Sequence, residues 1–233
     1  MPAYFVTGTD TDAGKTLVTA GLLACARRTG LTTLGLKPVA SGSEATPAGL
    51  RNADALALQA QSHPEAAYEL VNPHAFAPAI APHLAARRAG SRLGLDALAD
   101  RVQAGLALER DLTLIEGAGG WRVPLNDHED LAGLAVRLEL PVILVVGLKL
   151  GCLNHARLSA EAITADGLRL GGWVGNLLDP GFAADPDLYR DNLTTLARRL
   201  PGPCLGVIPR LTPATPETLA ETAADHLVLP DAD

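Results

Sequence analysis

The chain reads as an α/β protein, a single domain with a mostly parallel central sheet and helices on both faces. Three observations predict this. Short apolar runs alternate with helical patterns along almost all of the 233 residues, as they do when strands are joined by helical crossovers. Hydrophobic residues make up 48% of the chain and aromatic ones only 3%, so the core is built from Leu, Val, Ile and Ala, which suits a sheet buried on both faces. A turn rich in Gly, Thr and Asp follows the first apolar run and leads at once into a helical pattern. In parallel sheets that carboxyl-end junction is where ligands bind.

In chain order, strands are expected over residues 3–7, 33–37, 112–116, 142–147, 170–176 and 204–208, and helices over 15–28, 53–61, 95–108, 131–138, 153–166 and 188–200. Pro38 ends the second strand, because proline cannot donate to a ladder and biases Lys37 to extended geometry. Residues 64–82 are rich in Ala and Pro around NPHAFAPAIAPH, and an ordered excursion that covers a substrate is expected there. Residues 209–216 read as a loop before a last helix. No internal repeat or low-complexity linker interrupts the pattern, so residues 1–233 are expected to form one domain.

A formal net charge of −7 argues against wholesale binding of nucleic acid or anionic membrane, since any basic patch works against the field of the whole molecule. A local phosphate site is still allowed. The first strand begins at once, which leaves no room for a signal peptide. The longest apolar run, residues 140–148, is about half of the ~20 residues that span a bilayer. A soluble, cytoplasmic protein is expected. Cys25, Cys152 and Cys204 lie far apart with no CxxC pair, which fits a reducing compartment. Cys25 and Cys204 are expected as small core residues, and Cys152 as a structural residue in a loop. The six histidines show no metal-ligand spacing, and no Ser-His-Asp set is evident.

The polar residues of interest follow strands. FVTGTDTDAGKTLVTAGLL, residues 5–23, has the strand–loop–helix layout of a phosphate-binding loop. Its backbone N–H groups and the positive end of the following helix form a cradle for oxyanions. Lys15 adds a mobile positive charge, and the Thr16 hydroxyl can reach Mg²⁺. Five residues separate Gly8 from Gly14, one more than in the common loop of this kind. Lys37 stands at a strand's carboxyl end before Ser41, Gly42 and Ser43. It is either a surface lysine or a second ammonium for a phosphoryl group or an anionic substrate. Asp54 either caps the helix that opens as DALALQ or places a carboxylate near a magnesium–nucleotide site.

The run LTLIE delivers Glu116 at a strand end, where P-loop enzymes place a carboxylate near the metal. Gly117, Ala118, Gly119 and Gly120 follow, either as a structural turn or as backbone that approaches a ligand closely. A dinucleotide fingerprint fits badly, because Arg122 stands where glycine would be needed. Lys149, Asn154 and His155 come after the next strand, the histidine as a base or as a cap. Asn176 ends GWVGN, either as a turn residue or as an amide that reads the edge of an adenine.

GTDTDAGKT, KPVASGSE, RNADALAL, VNPHAFAP, EGAGGW, PVILVVGLKLGCLNHA, GWVGN and GVIP, in that order, resemble the dethiobiotin synthetase family over nearly the whole chain, the odd loop spacing included. The resemblance implies a P-loop NTPase-like fold and an ATP- and Mg²⁺-dependent ligase of biotin biosynthesis. In that family one amine of 7,8-diaminononanoate takes up CO₂ (or bicarbonate) as a carbamate. ATP phosphorylates the carbamate, and the other amine closes the cyclic urea. The resemblance further implies that Thr16, Asp54 and Glu116 hold magnesium, that Thr11 and Lys15 contact phosphate, and that Lys37 is the catalytic lysine. Asp12, Ala13, Gly14, Leu17, Gly117, Ala118 and Gly119 would complete the ATP site, with Asn176, Ile208, Pro209 and Arg210 as its base pocket. Ser41, Gly119 and Gly120 would face the diamine. Asn154 and Tyr189 would hold its distal carboxylate from the neighbouring subunit of a homodimer.

Two alternatives share such a sheet. A switch ATPase of the ParA/MinD kind usually carries a signature lysine early in its phosphate loop, where this chain reads TDTDA. It also tends to have a membrane-binding tail, for which no polybasic or amphipathic segment is evident. A cobyrinic acid amidase-like ligase would need an added glutamine-hydrolysing domain with a nucleophilic cysteine, and no candidate stands out.

Overall fold

The structure, a computed structural model, describes residues 2–230. β1 (Ala3–Gly8) is buried from Tyr4 onward, and α1 (Lys15–Arg28) follows the glycine turn, with Arg27 and Arg28 complementing the dipole at its last turn. Next come β2 (Thr33–Leu36), β3 (Val39–Ser41), β4 (Glu44–Thr46), β5 (Gly49–Arg51) and α2 (Ala53–Ala60). The middle of the chain holds α3 (Tyr68–Val71), β6 (His74–Phe76), α4 (Pro82–Arg88), α5 (Leu95–Leu106) and β7 (Leu112–Glu116). The remainder is α6 (Ala132–Arg137), β8 (Val142–Leu148), α7 (Cys152–Ala165), β9 (Leu170–Leu177), α8 (Pro186–Arg199), β10 (Cys204–Ile208) and α9 (Pro216–Ala224).

Six strands form one parallel sheet in the order β10-β9-β8-β1-β7-β2. From β1 the chain runs out to the β2 edge, returns to fill the gap with β7, and crosses to β8 on the other side of β1. Connections therefore leave β1 and β8 in opposite directions, and a crevice opens above their carboxyl ends. Strands β7, β8 and β9 are buried along their whole length. Leu22 and Leu23 of α1, Leu58 of α2 and Leu98 of α5 are fully buried against the sheet, each contributing roughly 1.5–3 kcal/mol relative to exposure. α9 lies across α1, where Arg28 bonds to Glu221 and Asp225 at 2.8 and 2.7 Å.

The expected strands and helices are present, with ends shifted by a residue or two. β2 stops at Leu36 because the Lys37 N–H leaves the sheet and donates to Val71 O at 2.7 Å. The excursion over 64–82 is ordered, as expected. Its strand β6 pairs in parallel with β3 in a separate small sheet, Val39 opposite His74. Such three-residue strands carry too little alternation to be read from sequence. Cys204 corrects an expectation: it is exposed, because it opens β10 at the sheet's edge. Cys152 is buried as the first residue of α7 rather than in a loop, Cys25 is half-buried, and all three thiols are free.

Candidate active site

The turn after β1 folds back over the strand's carboxyl end, with the Thr9 N–H donating to Val145 O at 2.9 Å. Lys15 curls across it. Its Nζ donates to the carbonyls of Asp10 (3.1 Å) and Thr11 (2.8 Å). Gly14, the residue before α1, has φ 91°, and a Cβ there would collide with the Asn176 amide, so only glycine fits. That amide donates through Nδ2 to Ala13 O at 3.0 Å. Asn176 thus braces the loop from β9. Burial first, and the Lys37 charge second, pull the Lys15 ammonium down to about 8. An anionic ligand at Nζ would raise it again, since a nearby negative group favours the protonated form.

Opposite the loop, three side chains from separate segments form one ion cluster. Lys37 Nζ lies 2.5 Å from Glu116 Oε1 and 3.2 Å from Asp54 Oδ2, and donates to Gly117 O at 3.1 Å. Lys37 is 4% exposed and Glu116 0%. Burial works against the Lys37 charge, but the Glu116 and Asp54 carboxylates outweigh it and hold the ammonium above its ordinary value. Burial also opposes the charge on Asp54, and Lys37 outweighs it, so that carboxyl lies below its usual range. Asp54 is not the cap of α2. Asn52 is, its side chain accepting from the Ala55 N–H at 3.3 Å, which leaves the Asp54 carboxylate to face the cluster. The surface-lysine reading of Lys37 is excluded by its burial.

Thr16 Oγ1 donates to Glu116 Oε1 at 2.9 Å, and the other carboxylate oxygen, Oε2, is buried without a hydrogen-bond partner. A buried acceptor left unpaired is costly. Two carboxylates and a hydroxyl beside such an atom suit a hard, oxygen-seeking cation such as Mg²⁺. Among the described residues no group of three or more His, Cys, Asp or Glu side chains forms a competing metal site.

A cleft of about 370 Å³ brings these groups together, lined by Thr11, Asp12, Gly14, Lys15, Thr16, Lys37, Ala40, Ser41, Asp54, Glu116, Ala118 and Gly119. Gly119 adopts φ 63°, a left-handed turn that presents its backbone to the cleft. Ala13 and Gly117 are buried behind it, Leu17 continues α1, and Gly120 approaches the Gly8 carbonyl. Ile208 pairs with Asn176 across β10 and β9, and Arg210 Nη1 donates to Leu178 O at 3.2 Å. Asn176, Ile208, Pro209 and Arg210 therefore share one corner beside the loop. Asn154 (exposed, first turn of α7) and Tyr189 (edge-on to Phe182, centroids 6.0 Å apart) do not line the cleft of their own chain. The 64–82 excursion does not line it either. It braces the Ser41 loop from behind, Gly42 N–H donating to Pro78 O (3.1 Å) and Ser43 N–H to Phe76 O (2.9 Å).

Sequence reasoning passed over Ala40 in the cleft wall and the ion pair of Asp10 with Lys149 at 3.3 Å, which ties the phosphate loop to the segment after β8. The Thr11 N–H first, and Lys149 second, hold the Asp10 carboxyl below its ordinary value. Nothing local marks that pair. The Asn52 cap was legible, since Asn before a helical pattern is a strong N-cap signal.

A family model described as an AAA domain matches residues 2–218. Among solved structures, a chain of the MinC:MinD cell division protein complex of Aquifex aeolicus superposes with a TM-score of 0.56 at 14% identity, covering 97% of this chain and 86% of that one. The ParA family ATPase of Chlorobium tepidum TLS does so at 0.54 and 11%, covering 97% and 90%. At such identities these likenesses show the P-loop NTPase-like fold alone. The sequence relatives are far nearer. The ATP-dependent dethiobiotin synthetase of Chromohalobacter salexigens is 73% identical over 99% of both chains. That of Pseudomonas aeruginosa strain UCBPP-PA14 is 61% identical over 94% of this chain and 95% of its own. That of Xanthomonas campestris pv. campestris is 47% identical over 99% of both. With identity of that order over nearly the whole length of both chains, the chain belongs to the ATP-dependent dethiobiotin synthetase family.

Proposed function

We propose that this chain is an ATP- and Mg²⁺-dependent ligase that forms the cyclic urea of dethiobiotin from 7,8-diaminononanoate and CO₂, acting as one domain over residues 1–233. One amine adds to CO₂, losing a proton, to give a carbamate. A carbamate oxygen attacks the γ-phosphorus of ATP and ADP leaves. The second amine then attacks the carbonyl carbon of the mixed anhydride, and phosphate leaves with the C–O bonding pair. The observation that carries this reading is that Lys15, which opens α1, and Lys37, just past the end of β2, line one cleft.

The difficulty of the middle step is electrostatic, because a carbamate anion must meet an anionic phosphoryl group. In this reading Lys15 and the backbone N–H groups of residues 12–17 hold the phosphates, with Thr11 at the rim. Lys37 holds the carbamate beside them, and Ser41, Gly119 and Gly120 orient the diamine. Asn176 and residues 208–210 form the base pocket. Thr16, Asp54 and Glu116 would hold Mg²⁺, which when bound neutralises phosphate charge. The orphaned Glu116 Oε2 is what favours that ligand set.

The distal carboxylate of the diamine falls to Asn154 and Tyr189 of a second subunit. Both sit outside their own cleft, and Leu150, Leu158 and Leu188 around them are 90%, 57% and 58% exposed, an apolar surface that a homodimer would cover. No helix among the described residues is long and apolar enough to cross a membrane. The three free thiols support a cytoplasmic setting. The test is ADP release with bicarbonate, with and without the diamine. Diamine-dependent release with dethiobiotin formed in equal amount is expected; full-rate release without diamine would favour a nucleotide switch instead.

A further inference from the structure

Behind the cleft runs a chain of buried polar groups that touches none of the reacting atoms. Asn72 is 3% exposed, Asn52 5% and Tyr68 6%. The Tyr68 hydroxyl donates to Asn72 Oδ1 at 3.0 Å and accepts from the Asn52 N–H at 2.8 Å. Asn72 Nδ2 donates to the Lys37 carbonyl at 2.6 Å. Since the Lys37 N–H donates to Val71 O, both polar groups of that peptide unit's residue are held by the 71–72 segment, off the ladder. On the other side Asn52 caps the helix bearing Asp54 and donates through Nδ2 to Ser41 O at 3.2 Å. The ring itself is pinned, with the Arg51 guanidinium 4.1 Å from its centroid and paired to Glu69 at 3.0 Å.

One hydroxyl therefore joins the backbone of Lys37 to the backbone that carries Asp54 and Ser41. We propose that Tyr68, through Asn72 and Asn52, is a positioning residue that sets the separation of Lys37 from Asp54 and Ser41 in the reactive geometry. Misplacement of reacting groups by about 1 Å can cost on the order of a hundredfold in rate, and this linkage holds the backbones of these segments where the direct Lys37–Asp54 ion pair (3.2 Å) holds only their side chains. Tyr68, Asn72 and Asn52 make their hydrogen bonds outside the phosphate loop, so the loop's hold on the phosphates is expected to change less than the placement of Lys37 and Asp54. The inference rests on the function proposed above and goes beyond it in assigning a role to VNPHAFAP, which that function leaves unused.

The experiment compares Tyr68→Phe, Asn72→Ala and the double variant with wild type, as full-length protein, in diamine-dependent ADP release. Each single variant is expected to lower kcat about tenfold, with KM for ATP within about twofold of wild type. The double variant is expected to be no slower than the slower single one, because both break the same linkage. A merely structural role, a general loosening of the fold, would raise KM for ATP in step with the fall in kcat. Either that pattern, or folded single variants with kcat within about twofold of wild type, overturns the proposal. Absence of diamine-dependent turnover in wild type would instead defeat the proposed function, so the two failures are distinguishable.

Discussion

On one wall of the cleft Lys15 is held by carbonyls four and five residues away in sequence, whereas on the other Lys37 meets a carboxylate 79 residues away. The partners differ in kind as well as in distance. Lys15 has only neutral acceptors, and burial brings its ammonium down to about 8. Lys37 is neutralised within the protein by Glu116 and Asp54 and is held above its ordinary value. In the proposed reaction the first lysine is a charge that gains from a ligand, whereas the second belongs to the framework as well as to the chemistry.

That contrast predicts equal losses of activity and unequal losses of stability. Lys15→Ala and Lys37→Ala are each expected to reduce diamine-dependent ADP release by at least about 10³-fold. Near-normal ring closure in Lys37→Ala would break the comparison on the side of chemistry. Glu116→Gln keeps the shape but removes one charge, and a fall in kcat of about 10²-fold with a raised Mg²⁺ requirement is expected. An unchanged Mg²⁺ titration would count against the proposed ligand set.

In urea unfolding, Lys15→Ala should lose no more than about 1 kcal/mol, since it strands no charge. Lys37→Ala should lose about 3–5 kcal/mol, because it leaves the fully buried Glu116 without its counter-ion. Adding Glu116→Gln to Lys37→Ala should then recover part of that loss, and no recovery would mean that the pair is not the source. Mixed dimers of Lys37→Ala and Asn154→Ala subunits should regain partial activity, since under the proposed sharing one of the two sites is rebuilt intact. Verified mixed dimers without recovery would rule out the shared site. The smallest effect is expected at Asp166, which holds Trp121 Nε1 and Arg122 at 2.8 Å each. Asp166→Ala should cost about 1–2 kcal/mol by melting, with kcat changed less than about threefold.

The two walls also differed in how far they could be read beforehand. The strand, the glycine turn and GKT all signal one loop within a dozen residues, and the six sheet strands carry long enough apolar runs to be placed. Glu116 was legible as an acid at a strand end. The roles of Asp54 and Lys37 stayed open between a cap and a ligand, and between surface and site. Each depends on a partner that no local pattern names. The Tyr68–Asn72 pair lay in the 64–82 excursion, where no residue had been given a chemical role, and the pairing of β3 with β6 rests on three residues a side.

From the amino-acid order alone came the α/β class, the phosphate loop and the family resemblance, because strand, turn and helix preferences act between near neighbours along the backbone. Only the folded sheet decided that Lys37, Asp54 and Glu116 are one cluster and that a buried tyrosine stands behind them. Those contacts join segments separated by long loops, and their geometry follows from strand order and burial, which no short stretch of sequence contains.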